Sequence, residues 1–152
     1  MNVRNEILRQ ILAAILAAVL ALIFLCLDFT IPNQLTSTLF AVLGIFYSIT
    51  MSLTISFDYK TVVNKTVRIN IKNALTRIKT TNTVNFLIST CALVIFMPLA
   101  NAIEVGYFRR LFEFYPLTTI IVSFVLSIKT FNSLFALKSE LDDAVSKELD
   151  GK

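Results

Sequence analysis

Apolar positions along the chain gather into four runs of bilayer length, parted by short polar or basic stretches. The first is the cleanest: Ile11 to Leu27 carries no polar side chain except the thiol of Cys26, and counted from Ile7 it spans about 30 Å as a helix. Its basic start resembles a secretory leader, but the run is longer than a leader's apolar centre and ends Leu-Cys-Leu-Asp-Phe without a small-residue cleavage site, so it is expected to be retained. The pattern predicts transmembrane helix 1 over 7–28, helix 2 over 33–57, helix 3 over 83–103 and helix 4 over 116–137, the last continuing to 149. A basic amphipathic helix over 60–80 separates helices 2 and 3. An aromatic segment over 104–115 separates helices 3 and 4.

Within helix 2, Ser48, Thr50, Ser52, Thr54 and Ser56 alternate with apolar residues as a strand would. A lone strand leaves its backbone unsatisfied in lipid, so the helical reading stands and the hydroxyls bond to their own helix or to a neighbour. Two stripes of small residues recur every fourth position: Ala13, Ala17 and Ala21 on helix 1, and Gly44, Ser48, Ser52 and Ser56 on helix 2. Such stripes let helix backbones approach closely, which predicts that helices 1 and 2 form a hairpin with these faces mated. Alanine is also simply a common helix former in lipid. The hydroxyl ridge has a second reading as a pore lining, disfavoured because no acidic residue accompanies it to select an ion. Pro32 suits the first turn of helix 2.

Between Phe57 and Asn82 stand Lys60, Lys65, Arg68, Lys72, Arg77 and Lys79 against the single acid Asp58. This excess marks the cytoplasmic side and places both termini there. Val63, Val67, Ile71, Leu75 and Ile78 share one helical face, so the segment is expected to lie on the inner leaflet and bind anionic lipid, or to dock an acidic soluble partner or the chain's own tail. The tail supplies the matching charge through Glu140, Asp142, Asp143, Glu148 and Asp150.

Helix 3 holds Pro98, a kink site, and the segment after it packs aromatics around Arg109, Arg110 and Glu113, an outer interfacial belt. Lys129 is the most informative single charge. A span starting at Pro116 buries it in the membrane, whereas one starting near Leu111 puts it at the inner interface, where its ammonium snorkels. The absence of an acid at matching depth favours the interface. Leu134, Leu141 and Val145 then offer a seam for self-association.

Composition agrees: 152 residues at 56% hydrophobic and a mean hydropathy of +0.75 exclude an ordinary water-soluble globule. The formal charge of +4 is distributed in a way that reports orientation, not affinity for nucleic acid. With no His, three Gly and two Cys, the chain offers no general base of the usual kind, no glycine-rich phosphate loop and no metal-ligand set, and Cys26 and Cys91 are expected to pack as small hydrophobes without pairing. No catalytic, cofactor or metal residue is assigned, and an enzyme is the least supported class.

The expected fold is an all-α integral membrane protein of one polytopic domain, assembled as a homo-oligomer in the bacterial inner membrane. Its layout, together with an Ile, Asn, Lys and Phe bias and the absence of Trp and His, resembles small four-helix subunits of anti-phage defence systems such as the membrane component of Kiwa. The resemblance covers the layout and carries over no site residue. It implies an effector or sensor subunit coupled to a soluble cytoplasmic partner. Two alternatives stay open: an immunity protein against a pore-forming bacteriocin, and a small channel or transporter lined by the helix 2 ridge and Lys129.

Overall fold

The computed structural model describes residues 3–28, 34–57, 64–104 and 106–150. Four helices account for nearly all of them: α1 (Val3–Cys26), α2 (Leu35–Ser56), α3 (Lys65–Ala102) and α4 (Gly106–Asp150). All four are long and apolar enough to cross a membrane, and the chain is a multi-pass membrane protein. Helix α1 ends where Asp28 takes a left-handed φ of 49°, a conformation Asp tolerates and one that closes helix C-termini. Helix α3 begins at Lys65 because the Asn64 side chain accepts the backbone N–H groups of Thr66 and Val67 at 3.0 and 3.3 Å.

Two boundaries differ from the sequence expectation. The basic segment over 60–80 and helix 3 over 83–103 are not separate; from Lys65 onward they are one helix of 38 residues. The intervening Thr80, Thr81, Asn82 and Thr83 are weak helix formers but include no Pro or Gly, and Thr81 and Asn82 are buried, so tertiary contact carries the helix through. Likewise residues 106–115 of the aromatic segment supply the opening turns of α4, and Pro116 lies inside that 45-residue helix instead of starting it. Lys60 and Pro32 lie outside the described residues.

At ~1.5 Å per residue α3 and α4 are about 57 and 68 Å long, roughly twice the thickness of a hydrocarbon core. Charged residues mark the two ends of the shared apolar zone. Arg110 pairs with Asp28 at one end of the bundle, while Arg9 and Lys129 line one groove at the other. Residues 10–27 of α1 and 111–128 of α4 therefore run between the same two levels, each about 27 Å long, which matches a bilayer interior. Across this zone the bundle turns large apolar side chains outward: Leu12 is 61% exposed, and Ile15, Leu16, Val19, Ile45 and Val94 are also exposed. Small and polar residues face inward, as expected where lipid is as apolar as leucine and packing density selects the interface.

Helix α4 is the hub. Five consecutive residues, Pro116 to Ile120, are buried, which a helix achieves only when neighbours surround it. It packs against α3 most extensively, then α1, then α2, whereas α1 and α2 share almost no contact. The expected hairpin of helices 1 and 2 is therefore not formed. The alanine stripe meets α4: Ala17 and Ala21 are fully buried, and Ala13 and Ala17 share a cavity lining with Thr119 and Val122. The α2 ridge turns the other way. Ser48, Ser52 and Ser56 are exposed, and the packed face of α2 is instead Thr36, Leu43, Thr50 and Thr54. Its aromatics interlock with both neighbours, Tyr47 stacking on Phe86 of α3 at 4.6 Å and Phe46 meeting Phe124 and Phe131 of α4. Bulky rings and a heptad of Thr and Leu thus outcompete the small-residue ridge for the interior. The α2 hydroxyls bond back to their own helix, as Ser48 to Gly44 and Thr54 to Thr50.

Beyond the basic boundary α3 and α4 continue side by side as a two-helix stalk. Ile71, Leu75 and Ile78 of α3 bury against Leu134, Leu137 and Leu141 of α4, with Leu53 and Phe57 closing the cluster from α2. The apolar face of the basic segment is thereby covered by protein, not by headgroups. The seam of Leu134 and Leu141 is used within the chain, not between copies; the Val145 side chain lies outside the described residues.

Candidate functional site

Two places concentrate polar chemistry. The first is a seam buried where α1, α3 and α4 meet. Asn82, Asn85 and Ser89 fall on one face of α3, and Thr119, Ser123 and Ser127 recur every fourth residue on α4, so the two rows align along the antiparallel crossing. Ser89 donates to the Ser123 hydroxyl at 2.7 Å, Ser127 to Oδ1 of the Asn82 side chain at 3.1 Å, and Gln10 of α1 to Oδ1 of the Asn85 side chain at 2.9 Å. Asn82 and Asn85 are each 1% exposed, and both Nδ2 atoms are buried with no hydrogen-bond partner among the described residues. Asn85, Gln10, Thr119 and Ser123 border a cavity of about 20 Å³, the size of a single water site. The described residues of the seam carry hydroxyls and amides. Its chemistry is hydrogen bonding that orients three helices.

The second place is the basic end. Lys65, Arg68, Lys72, Arg77 and Lys79 are all exposed on the α3 half of the stalk, because its apolar positions are committed to α4. The acidic Glu140, Asp142 and Asp143 are exposed on the α4 half beside it. Among the described residues, no ion pair joins Lys65, Arg68, Lys72 or Lys79 to this tail. Where stalk and bundle join, Arg9 of α1, Arg77 of α3 and Lys129 and Glu140 of α4 line a groove of about 560 Å³. Lys129 is exposed and lines the same groove as Arg9.

The remaining expected residues separate. Among the described residues that line the groove at Lys129, none comes from α2. At the opposite end, Arg109 pairs with Glu113, four residues on, at 3.1 Å. Cys26 and Cys91 are unpaired and exposed on the outer surface of the bundle; they do not pack inside as small hydrophobes. Sequence reading passed over the seam, although the every-fourth-residue recurrence of Thr119, Ser123 and Ser127 inside an apolar span was the signal for it. No known family model matches the chain, and no curated protein or solved structure is detectably similar to it.

Proposed function

We propose that this protein is a membrane-embedded coupling subunit: a bundle held in the bacterial inner membrane that presents a stalk on its cytoplasmic side to a soluble, acidic partner. The observation that carries the reading is the stalk. Its hydrophobic cluster, Ile71, Leu75 and Ile78 against Leu134, Leu137 and Leu141, makes it a stiff continuation of two spans, and its outer α3 face displays Lys65, Arg68, Lys72 and Lys79. Two helices that pass without a break from membrane to stalk couple a displacement at one end to the other. The seam of Asn82, Asn85 and Ser89 supplies the register of that coupling, since its hydrogen bonds hold α1, α3 and α4 together. The assembly is homo-oligomeric in this reading, with the exposed α2 ridge of Ser48, Ser52 and Ser56 turned toward neighbouring copies. Signal transfer and partner binding, not catalysis, are the output, in keeping with a sensor or effector subunit of an anti-phage defence system.

The test is charge reversal on the stalk. Tagged protein is purified from its native membranes and its co-purifying partner identified, then the purification is repeated with Lys65, Arg68, Lys72 and Lys79 changed to Glu. The partner is expected to be lost while membrane insertion is kept, to dissociate as salt is raised, and deletion of the gene is expected to raise phage plating. Partner capture indifferent to both charge reversal and salt rejects the docking face. Unchanged plating rejects the defence role.

A further inference from the structure

The groove at the basic end points to a ligand of its own, independent of the coupling reading. Three cationic side chains, each from a different helix, converge on it: Arg9, Arg77 and Lys129. Glu140 is the one acidic residue among the described residues that line it, against these three cations. Its walls are mixed. Ala74, Ile78 and Leu137 give apolar surface, and Thr130 and Ser133 give hydroxyls.

Depth decides what such a site recognises. The groove sits where residues 10–27 and 111–128 end, at the boundary of the hydrocarbon zone, which is the level of lipid phosphates. A guanidinium matches phosphate oxygens in a bidentate fork, and an ammonium adds a compact charge. Arg9 and Arg77 have other interactions as well, but a guanidinium carries five N–H donors, enough for more than one partner. One turn deeper than Arg9 on α1, Leu12 is exposed and offers apolar surface for an acyl chain. A basic pocket between transmembrane helices at a headgroup level is the arrangement that retains anionic phospholipid. A lipid phosphate is already confined to this depth, whereas a free anion must be drawn from water to the edge of hydrocarbon.

We propose that the groove between Arg9, Arg77 and Lys129 binds the phosphate of an anionic phospholipid, fixing one lipid at the junction of bundle and stalk. The experiment is native mass spectrometry of the full chain released from micelles containing equal phosphatidylglycerol and phosphatidylcholine. The wild type is expected to retain phosphatidylglycerol preferentially. Lys129→Ala and, separately, Arg77→Gln each lower that bound fraction about fivefold, the weight of one interfacial charge. Lys129→Arg keeps it, and Lys72→Ala, on the outer stalk face, leaves it unchanged; circular dichroism checks that each variant is folded. Millimolar inorganic phosphate leaves the lipid in place. Equal retention of the two lipids, a Lys72→Ala loss as large as that of Lys129→Ala, or displacement by inorganic phosphate overturns the proposal.

Discussion

Ser127 donates a 3.1 Å hydrogen bond to the side-chain amide oxygen Oδ1 of Asn82, and the two residues, each at most 2% exposed, tie α4 to α3 just inside the basic boundary. The contact joins the membrane bundle to the stalk, because Ile78 and Leu134 of the stalk cluster follow within two turns on either helix. Ser127→Ala leaves the Asn82 side chain with neither its donor nor an acceptor satisfied. Interhelical hydrogen bonds in membrane proteins average about 0.6 kcal/mol, so a destabilisation near that value is expected in reversible unfolding from bicelles. A double-mutant cycle with Asn82→Ala measures the pair directly, and zero coupling energy removes it from the account.

Ala21 is fully buried against its neighbours, whereas Ser52 is exposed on α2. Enlarging the first therefore strains the bundle and enlarging the second does not. Ala21→Leu is expected to cost about 1–3 kcal/mol in the same unfolding measurement, and Ser52→Leu close to nothing. Cross-linking between copies responds in the opposite sense: Ser52→Cys, in a background lacking Cys26 and Cys91, forms a disulfide-linked dimer if the ridge faces another subunit, and absence of that dimer removes the ridge from any oligomer interface.

Leu75 is 5% exposed at the centre of the stalk cluster. Outside the hydrocarbon zone its burial is driven by water exclusion, unlike the lipid-facing leucines of α1. Leu75→Ala is expected to destabilise the stalk by about 2–5 kcal/mol, read as faster hydrogen exchange over 65–79 and 134–141 with the span 10–27 unaffected. Exchange that rises equally throughout would make stalk and bundle one cooperative unit.

Thr66 and Tyr107 are both exposed, near opposite ends of the long helices. In the cysteine-free background, Thr66→Cys is expected to react with an impermeant maleimide only after the membrane is opened, and Tyr107→Cys in intact spheroplasts. Labelling of Thr66→Cys from outside reverses the orientation and moves the stalk to the other side.

Several features were legible in the residues themselves. Transfer into lipid is a sum over local windows, so four spans followed from hydropathy without any knowledge of packing. The basic bias of 60–79 was likewise a local fact of charge and spacing. Partner choice was not local. A hydrophobic stripe tells core from solvent in water, but in lipid Leu12 and Leu43 are equally at home outside and inside, so only shape decides which face turns in. Ala17 and Ala21 of the alanine stripe are buried where α1 packs on α4, not on α2, because nothing in one helix names the helix it meets. Tertiary structure alone made α4 the hub, turned the α2 serines outward, and drew Ile71, Leu75 and Ile78 off the membrane surface onto Leu134, Leu137 and Leu141. The same contacts carried α3 unbroken through Thr80–Thr83, where weak local propensity marks a boundary and burial against α4 erases it.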